Sequence, residues 1–254
     1  MDYILADAHQ IPANEDDAYA EKILRMPECY VPYMPPDTVP AIGPPPINRN
    51  NYVTFGGFHN PAKLNDNVLA LWAKILGAVK NSRFIMRYRG LDAPANRKRI
   101  LSVFAAQGVS ADRIDIDGAT PHLDLLAAYN HVDIALDSFP YSGGVTTCEA
   151  LWMGVPVVTL TGQSFAGRHA TSYLSTVGLA DLVANTPEHY AAIALKLAAA
   201  PGQLDTLRQG MRARMQASPL MNYDSYARDF LAAMRHIWAG YCDGMPPKSF
   251  SVRL

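Results

Sequence analysis

From Tyr52 onward, short apolar runs alternate with longer stretches in which apolar residues recur at helical spacing. The runs predict strands over 52–55, 83–88, 113–116, 132–136 and 156–160. Between the first two, Val68, Leu69, Leu71, Trp72, Ile75, Leu76 and Val79 fall on one face of a helix over 66–79. Further helices are predicted over 97–106, 123–129 and 146–153, and Gly108 and Gly154 follow two of them as C-terminal stops. Helices over 166–177, 187–199, 201–216 and 223–240 follow the last strand. Strands that alternate with helices imply βαβ units, and so an α/β fold with a Rossmann-like parallel sheet flanked by helices. Such sheets bind ligands beyond the carboxyl ends of their strands.

The first fifty residues break this rhythm. Tyr3-Ile4-Leu5 reads as a strand, and the polar stretch 14–18 leads into a helix expected over 18–25. Seven prolines then fall between Pro32 and Pro46. Proline lacks an N–H and restrains the residue before it, so this stretch reads as an extended linker. The chain divides into residues 1–33, a proline-rich linker over 34–50, and the Rossmann-like lobe with its C-terminal helices over 51–254. A lone strand has no sheet of its own. Residues 1–33 are therefore expected to belong to a neighbouring lobe, to pack outside the main sheet, and to be mobile or in contact with another copy.

Composition narrows the function. The chain is 49% hydrophobic and 18% charged, enough apolar surface for a sizeable core. The formal net charge of −1 supplies no field for nucleic acid, so any anion must be held by local groups. Cys29, Cys148 and Cys242 show no C-x-x-C spacing, which argues against a disulfide framework or a cysteine metal site and fits a cytoplasmic setting. No apolar stretch approaches the roughly 20 residues that span a bilayer, and the N-terminus has no secretory signal pattern, so no membrane partner is expected.

Four loops that follow predicted strands carry candidate chemistry. After the strand ending at Leu136 comes Asp137-Ser-Phe-Pro-Tyr-Ser-Gly-Gly-Val-Thr-Thr-Cys-Glu149. Glycines at 143 and 144 permit close backbone approach, and the amides of Gly144, Val145, Thr146 and Thr147 open a helix whose N-terminus favours an anion such as a diphosphate. The threonine hydroxyls add donors, and Glu149, one turn in, is placed to accept two ribose hydroxyls. The same pattern fits a glycine turn with a threonine cap and a glutamate that balances the helix dipole, and spacing alone leaves both open. After the first strand, Gly56-Gly57-Phe58-His59-Asn60-Pro61-Ala62-Lys63 offers Lys63 to neutralise a phosphate and Asn60 to hydrogen-bond one. Gly118-Ala-Thr120-Pro-His122 could read a base edge, where a partly satisfied surface histidine is the alternative, and Arg168 opens a helix where the dipole disfavours a cation, which implies an anion or carboxylate partner, a structural salt bridge serving equally.

Taken in order, Phe55-Gly-Gly-Phe-His-Asn-Pro-Ala-Lys63, Leu69-Ala-Leu-Trp-Ala-Lys-Ile-Leu76, Val132-Asp-Ile-Ala-Leu-Asp137, Thr146-Thr-Cys-Glu-Ala-Leu-Trp-Met-Gly154 and Phe165-Ala-Gly-Arg168 resemble the C-terminal catalytic lobe of O-GlcNAc transferase/SPINDLY-family glycosyltransferases of bacterial type. Residues 1–7 and 19–27 resemble the end of that family's N-terminal catalytic lobe, so the resemblance covers nearly the whole chain. It implies one lobe of a GT-B architecture and inverting transfer of N-acetylglucosamine from UDP-N-acetylglucosamine to Ser/Thr hydroxyls of protein. The donor UDP-sugar would be bound with no separate cofactor and no metal. By the same resemblance Lys63 is the catalytic lysine at the diphosphate and Asn60 a sugar-nucleotide contact. Val145 and Thr146 meet phosphate, Glu149 holds the ribose, and Thr120 and His122 lie in the base loop. Where animal members carry a histidine in the phosphate loop, this sequence has Gly144. Plant members use GDP-fucose, so uracil is read from the resemblance alone. The expected partners are a nucleotide sugar, a protein acceptor, the rest of the N-terminal lobe and tetratricopeptide repeats. Two other readings stay open: a non-catalytic nucleotide-sugar-binding module, and a sugar-nucleotide epimerase of GT-B fold.

Overall fold

The strand–helix alternation predicted from residue 52 is present in a computed structural model, which describes residues 1–252. Two strands open the chain, β1 (Tyr3–Ala6) and β2 (Lys22–Arg25), followed by a short helix α1 (Ile47–Asn50). Then come β3 (Thr54–Gly57), α2 (Asp66–Ala78), β4 (Arg83–Arg87), α3 (Pro94–Ala106), β5 (Ile114–Asp117), α4 (His122–Ala128) and β6 (Ile134–Leu136). The second half holds α5 (Val145–Trp152), β7 (Val157–Leu160), α6 (His169–Thr176), β8 (Val183–Ala184), α7 (Pro187–Ala198), α8 (Pro201–Gln216), α9 (Tyr223–Cys242) and β9 (Phe250–Ser251).

Strands β3 to β8 form one parallel sheet in the order β5-β4-β3-β6-β7-β8. The chain leaves β3 toward β4 and β5, crosses back, and then builds outward from β6. Right-handed crossovers put α2 and α3 on one face and α5 and α6 on the other. The topological switch point therefore lies between β3 and β6, where Phe55 stands opposite Ile134. The core closes on both faces. Trp72 of α2 is fully buried and stacks on Phe84 of β4 at 5.1 Å, and Phe84 meets Phe104 of α3 edge-on at 5.8 Å. Side-chain caps set several helix starts. Asn65 accepts the Val68 N–H at 3.1 Å, and Thr186 accepts that of His189 at 3.1 Å with Pro187 in the first turn.

The first residues depart from the helix expected over 18–25. Lys22–Arg25 is a strand that pairs in parallel with β1, Tyr3 opposite Lys22, after a 3-10 turn over Ala13–Ala18. Ile23 and Leu24 point to opposite sides and are both buried, Ile23 among Ala6 and Ile11, Leu24 among Met26 and Ala233. Burial on two faces suits a strand of period two better than a helix with one apolar stripe. Phe250–Ser251 returns from the far end of the chain to pair with β2. This small sheet lies outside the main one, as expected, and its anchors are in this chain. Tyr226, Phe230 and Ile237 of α9 cover one face, and the fully buried Asp7 accepts the Ser172 hydroxyl of α6 at 2.5 Å.

The proline-rich stretch is a strap across the lobe. Arg208 of α8 is 1% exposed and donates to the carbonyls of Gly43 and Val132, both at 2.8 Å, and of Tyr129 at 3.1 Å. Asn130 accepts the Gly43 N–H at 2.9 Å and donates to Ala41 O at 2.9 Å. Proline leaves the strap's carbonyls unpaired within their own segment, and these side chains satisfy them from the lobe.

Candidate functional site

The loops beyond β3 and β6 meet across the switch point. His59, buried just past β3, lies with Nε2 3.0 Å from the carbonyl of Leu136. That oxygen can only accept, so the proton is on Nε2, and burial holds His59 below the usual histidine range. Four residues on, the Lys63 ammonium donates to Ser142 O at 2.8 Å and lies 3.8 Å from the centre of the Tyr141 ring. Burial lowers the Lys63 pKa, and the nearby Asp137 carboxylate opposes that shift. One ammonium hydrogen is engaged by Ser142, which leaves two for a ligand.

Asp137 stands at the end of β6, 1% exposed. Its Oδ1 accepts the N–H groups of Ser138 at 2.9 Å and Gly143 at 2.7 Å, and its Oδ2 accepts the Thr159 hydroxyl at 2.6 Å. These bonds close the loop 138–143 on itself. A Cβ at Gly143 would lie 2.3 Å from Thr147 Oγ1 and 2.9 Å from Asp137 Oδ1, so glycine is required by close approach. Beyond it Gly144 caps α5, whose first residue, Val145, is exposed and whose second, Thr146, is half-buried. Lys63 bonds Ser142 directly before this turn, so its ammonium lies beside the start of α5 and the positive end of the helix dipole.

Glu149 is buried one turn into α5, and its Oε1 accepts from His122 Nε2 at 2.6 Å. Burial pushes the Glu149 carboxyl up, and the His122 hydrogen bond counters that. This contact joins the loop after β5 to the helix after β6. Thr120 is exposed two residues before His122. A Cβ at Gly118 would meet the carboxyl of the exposed Asp92 at 2.4 Å, so a side chain there would have to turn Asp92 aside.

Thr147, Arg168 and Gly56 are each engaged within the chain. Thr147 offers a ligand neither group, because its N–H donates to Gly144 O at 3.0 Å and its hydroxyl is buried against Gly143. The carboxylate partner expected for Arg168 is Glu15 of this same chain, held at 2.7 and 2.8 Å, while Nε donates to Gly162 O at 2.7 Å. Arg168 thus ties the first segment to the lobe through two edges of its guanidinium. At Gly56 the Val132 side chain approaches closely, 2.7 Å from where a Cβ would stand. Asn60 spends its Oδ1 on the Ala62 N–H at 3.0 Å and leaves its amide nitrogen exposed.

Sequence reasoning missed Tyr141, Asp137 and His169. His169 opens α6, shares Nδ1 with the Tyr30 hydroxyl at 2.7 Å, and is pushed down to about 4 by burial and by Lys63. A cavity of about 630 Å³ lies away from these loops. Three of its four arginines are committed: Arg87 pairs with Asp115 and Asp117, Arg97 donates to Ile116 O, and Arg113 donates to the carbonyls of Leu76, Val79 and Ser82. The depression under the strand-end loops has room for only about 10 Å³, so a nucleotide would lie on the open edge above it.

The sequence profile of glycosyl transferase family 41 matches residues 48–230. The chain belongs to this family. The probable UDP-N-acetylglucosamine–peptide N-acetylglucosaminyltransferase SPINDLY of Oryza sativa subsp. japonica is 38% identical over 249 residues, 97% of this chain. The SPINDLY protein of Arabidopsis thaliana is 36% identical over 251 residues. The chain spans 27% of the length of each of these relatives. Among solved structures, an O-GlcNAc transferase of Thermobaculum terrenum, in a mutant form, is 37% identical with a TM-score of 0.84, over 94% of this chain and 44% of that one. The sucrose-phosphate synthase of Thermosynechococcus elongatus shares the fold at a TM-score of 0.60 with 14% identity. The fold of this family 41 chain is one lobe of a GT-B glycosyltransferase.

Proposed function

We propose that this chain is the donor-binding lobe of a protein O-glycosyltransferase, which holds UDP-N-acetylglucosamine for inverting transfer to Ser/Thr hydroxyls. The observation that carries the reading is the meeting of Lys63 with the 142–146 turn across the β3/β6 switch point, with Glu149 one helical turn behind it. The diphosphate would lie on the amides of Gly144, Val145 and Thr146 and against Lys63. The ribose would reach Glu149, and the base would reach the loop with Thr120 and His122. The names of the family 41 relatives support UDP-N-acetylglucosamine as donor and a peptide as acceptor.

In the proposed reaction the acceptor oxygen attacks the anomeric carbon as the bond to the diphosphate oxygen breaks, and the hydroxyl proton passes to a base outside this lobe. Charge grows on the leaving diphosphate. Fixed amides, a helix N-terminus and the Lys63 ammonium are arranged to take up that charge, with no cofactor beyond the donor. The acceptor side is assigned to a partner lobe that completes the cleft, with tetratricopeptide repeats as a further partner. A cytoplasmic setting suits three cysteines that are all free thiols. No helix among the described residues is long and apolar enough to cross a membrane.

The test is titration of the chain with UDP, GDP and uridine. The reading expects UDP to bind more tightly than uridine, because the phosphates add contacts, and more tightly than GDP. Tighter binding of GDP would overturn the base assignment, and equal binding of UDP and uridine would overturn the diphosphate site.

A further inference from the structure

A carboxylate buried behind a diphosphate-binding turn is an electrostatic oddity. It bears its own desolvation cost and repels the ligand across a low-dielectric gap. Asp137 occupies that place, and burial raises its pKa although Thr159, Gly143, His59 and Lys63 all favour the anion. Its bonding pattern accounts for it. The Gly143 N–H that Asp137 accepts and the Ser142 carbonyl that accepts Lys63 belong to one peptide unit. In a trans peptide the N–H and C=O point in opposite directions from one rigid plane. Fixing the N–H on Asp137 therefore aims the carbonyl outward at the ammonium.

The carboxylate is itself fixed. Oδ2 takes the hydroxyl of Thr159, which is fully buried on β7. The Asp137 carbonyl takes the Tyr190 hydroxyl at 2.9 Å, and Tyr190 in turn accepts from Trp72 Nε1 at 3.1 Å. Asp137 is thus anchored to β7, α7 and α2, and those anchors reach Lys63 through one peptide. Hydrogen bonds in such a chain polarise one another, so the carboxylate also strengthens the Ser142 carbonyl as an acceptor.

We propose that Asp137 is a positioning residue for the diphosphate, which places the Lys63 ammonium through the Ser142–Gly143 peptide. The proposal rests on the nucleotide-sugar reading above and adds a named residue and a route of action to it. Asp137 does not touch the donor; its effect on donor binding passes through Lys63.

Calorimetric titration of the chain and of Asp137→Ala, Asp137→Asn, Lys63→Ala and the Asp137→Ala/Lys63→Ala double variant tests it. UDP affinity is expected to fall at least tenfold in Asp137→Ala and less in Asp137→Asn, which keeps one acceptor oxygen for Gly143. Uridine affinity is expected to stay within about twofold, since only the phosphates meet Lys63. With Lys63 already removed, Asp137→Ala is expected to cost little more, because coupled residues are non-additive. Additive losses, equal losses for UDP and uridine, or tighter UDP binding in Asp137→Asn would each overturn the proposal, the last by showing that like-charge repulsion dominates. Thr159→Val, which loosens the carboxylate without removing it, is expected to reproduce a smaller UDP-selective loss and serves if Asp137→Ala does not fold. Amide exchange at Gly143 needs no nucleotide: it is expected to speed at least tenfold in Asp137→Ala and less in Asp137→Asn, and unchanged exchange in Asp137→Ala refutes the anchor. Failure of the parent chain to bind UDP, by contrast, would fall on the nucleotide-sugar reading.

Discussion

At the scale of single residues, two charged groups at the site are held against their solvation. Burial depresses the Lys63 ammonium, and a bound diphosphate would restore its charge. UDP affinity is therefore expected to be level around neutrality and to fall as pH rises through the Lys63 pKa, earlier than for an exposed lysine. Lys63→Ala should weaken UDP binding by about 1–3 kcal/mol, the range for a charge-assisted hydrogen bond, and remove that alkaline decline. Titrations of both proteins across the alkaline range check this, and a decline that survives in Lys63→Ala would assign it elsewhere. Glu149 is the opposite case. Its folded pKa is raised, so its ionisation opposes folding. Relative to Glu149→Gln, the parent chain should be most stable below the unfolded glutamate pKa and should lose that advantage as pH rises through the folded value. At neutral pH the variant should melt no lower than the parent, yet bind UDP more weakly, because one ribose acceptor has become a donor. A variant that melts lower and binds UDP normally would make Glu149 a helix-dipole residue only.

At the scale of elements, the loop between β6 and α5 depends on the absence of a side chain at one position. Gly143→Ala would place a methyl group 2.3 Å from Thr147 Oγ1, so the turn must shift. The expected result is loss of UDP binding out of proportion to any loss of heat stability, measured by titration beside a melting curve; unchanged affinity would separate the turn from the site. The strap makes a purely structural counterpart. Arg208→Met removes four hydrogen bonds and leaves buried carbonyls unpaired, so stability should fall by about 3 kcal/mol in a denaturant titration while the UDP affinity of the folded fraction holds. The elements of the lobe were largely legible in the chain, because helical spacing such as that of Val68 to Val79 and apolar runs such as 156–160 are local signals. Strand β2 was not, because its identity is set by β1 on one side and Phe250–Ser251 on the other, more than two hundred residues away in sequence. Strand β8 has only two residues and no pattern to detect.

At the scale of the whole molecule, the site is the place where the sheet's winding reverses, and its position follows from the strand order alone. The sequence pointed to Lys63, the 143–149 turn and His122 as strand-end groups. It did not show that Lys63 and Ser142 touch or that Arg168 turns away toward Glu15, since each depends on residues brought together from distant segments, nor that Asp137 closes its own loop, since the residue pattern does not fix where its carboxylate aims. The small sheet of β1, β2 and β9 is bound to the lobe by α9, Asp7 and the Arg168–Glu15 pair. The central claim is that the edge between β3 and β6 holds a nucleoside diphosphate. Calorimetric titration of the chain with UDP beside uridine tests it most directly. One UDP per chain is expected, bound more tightly than uridine, with that difference largely removed in Lys63→Ala. Equal affinities for UDP and uridine, or a difference untouched by Lys63→Ala, would contradict it.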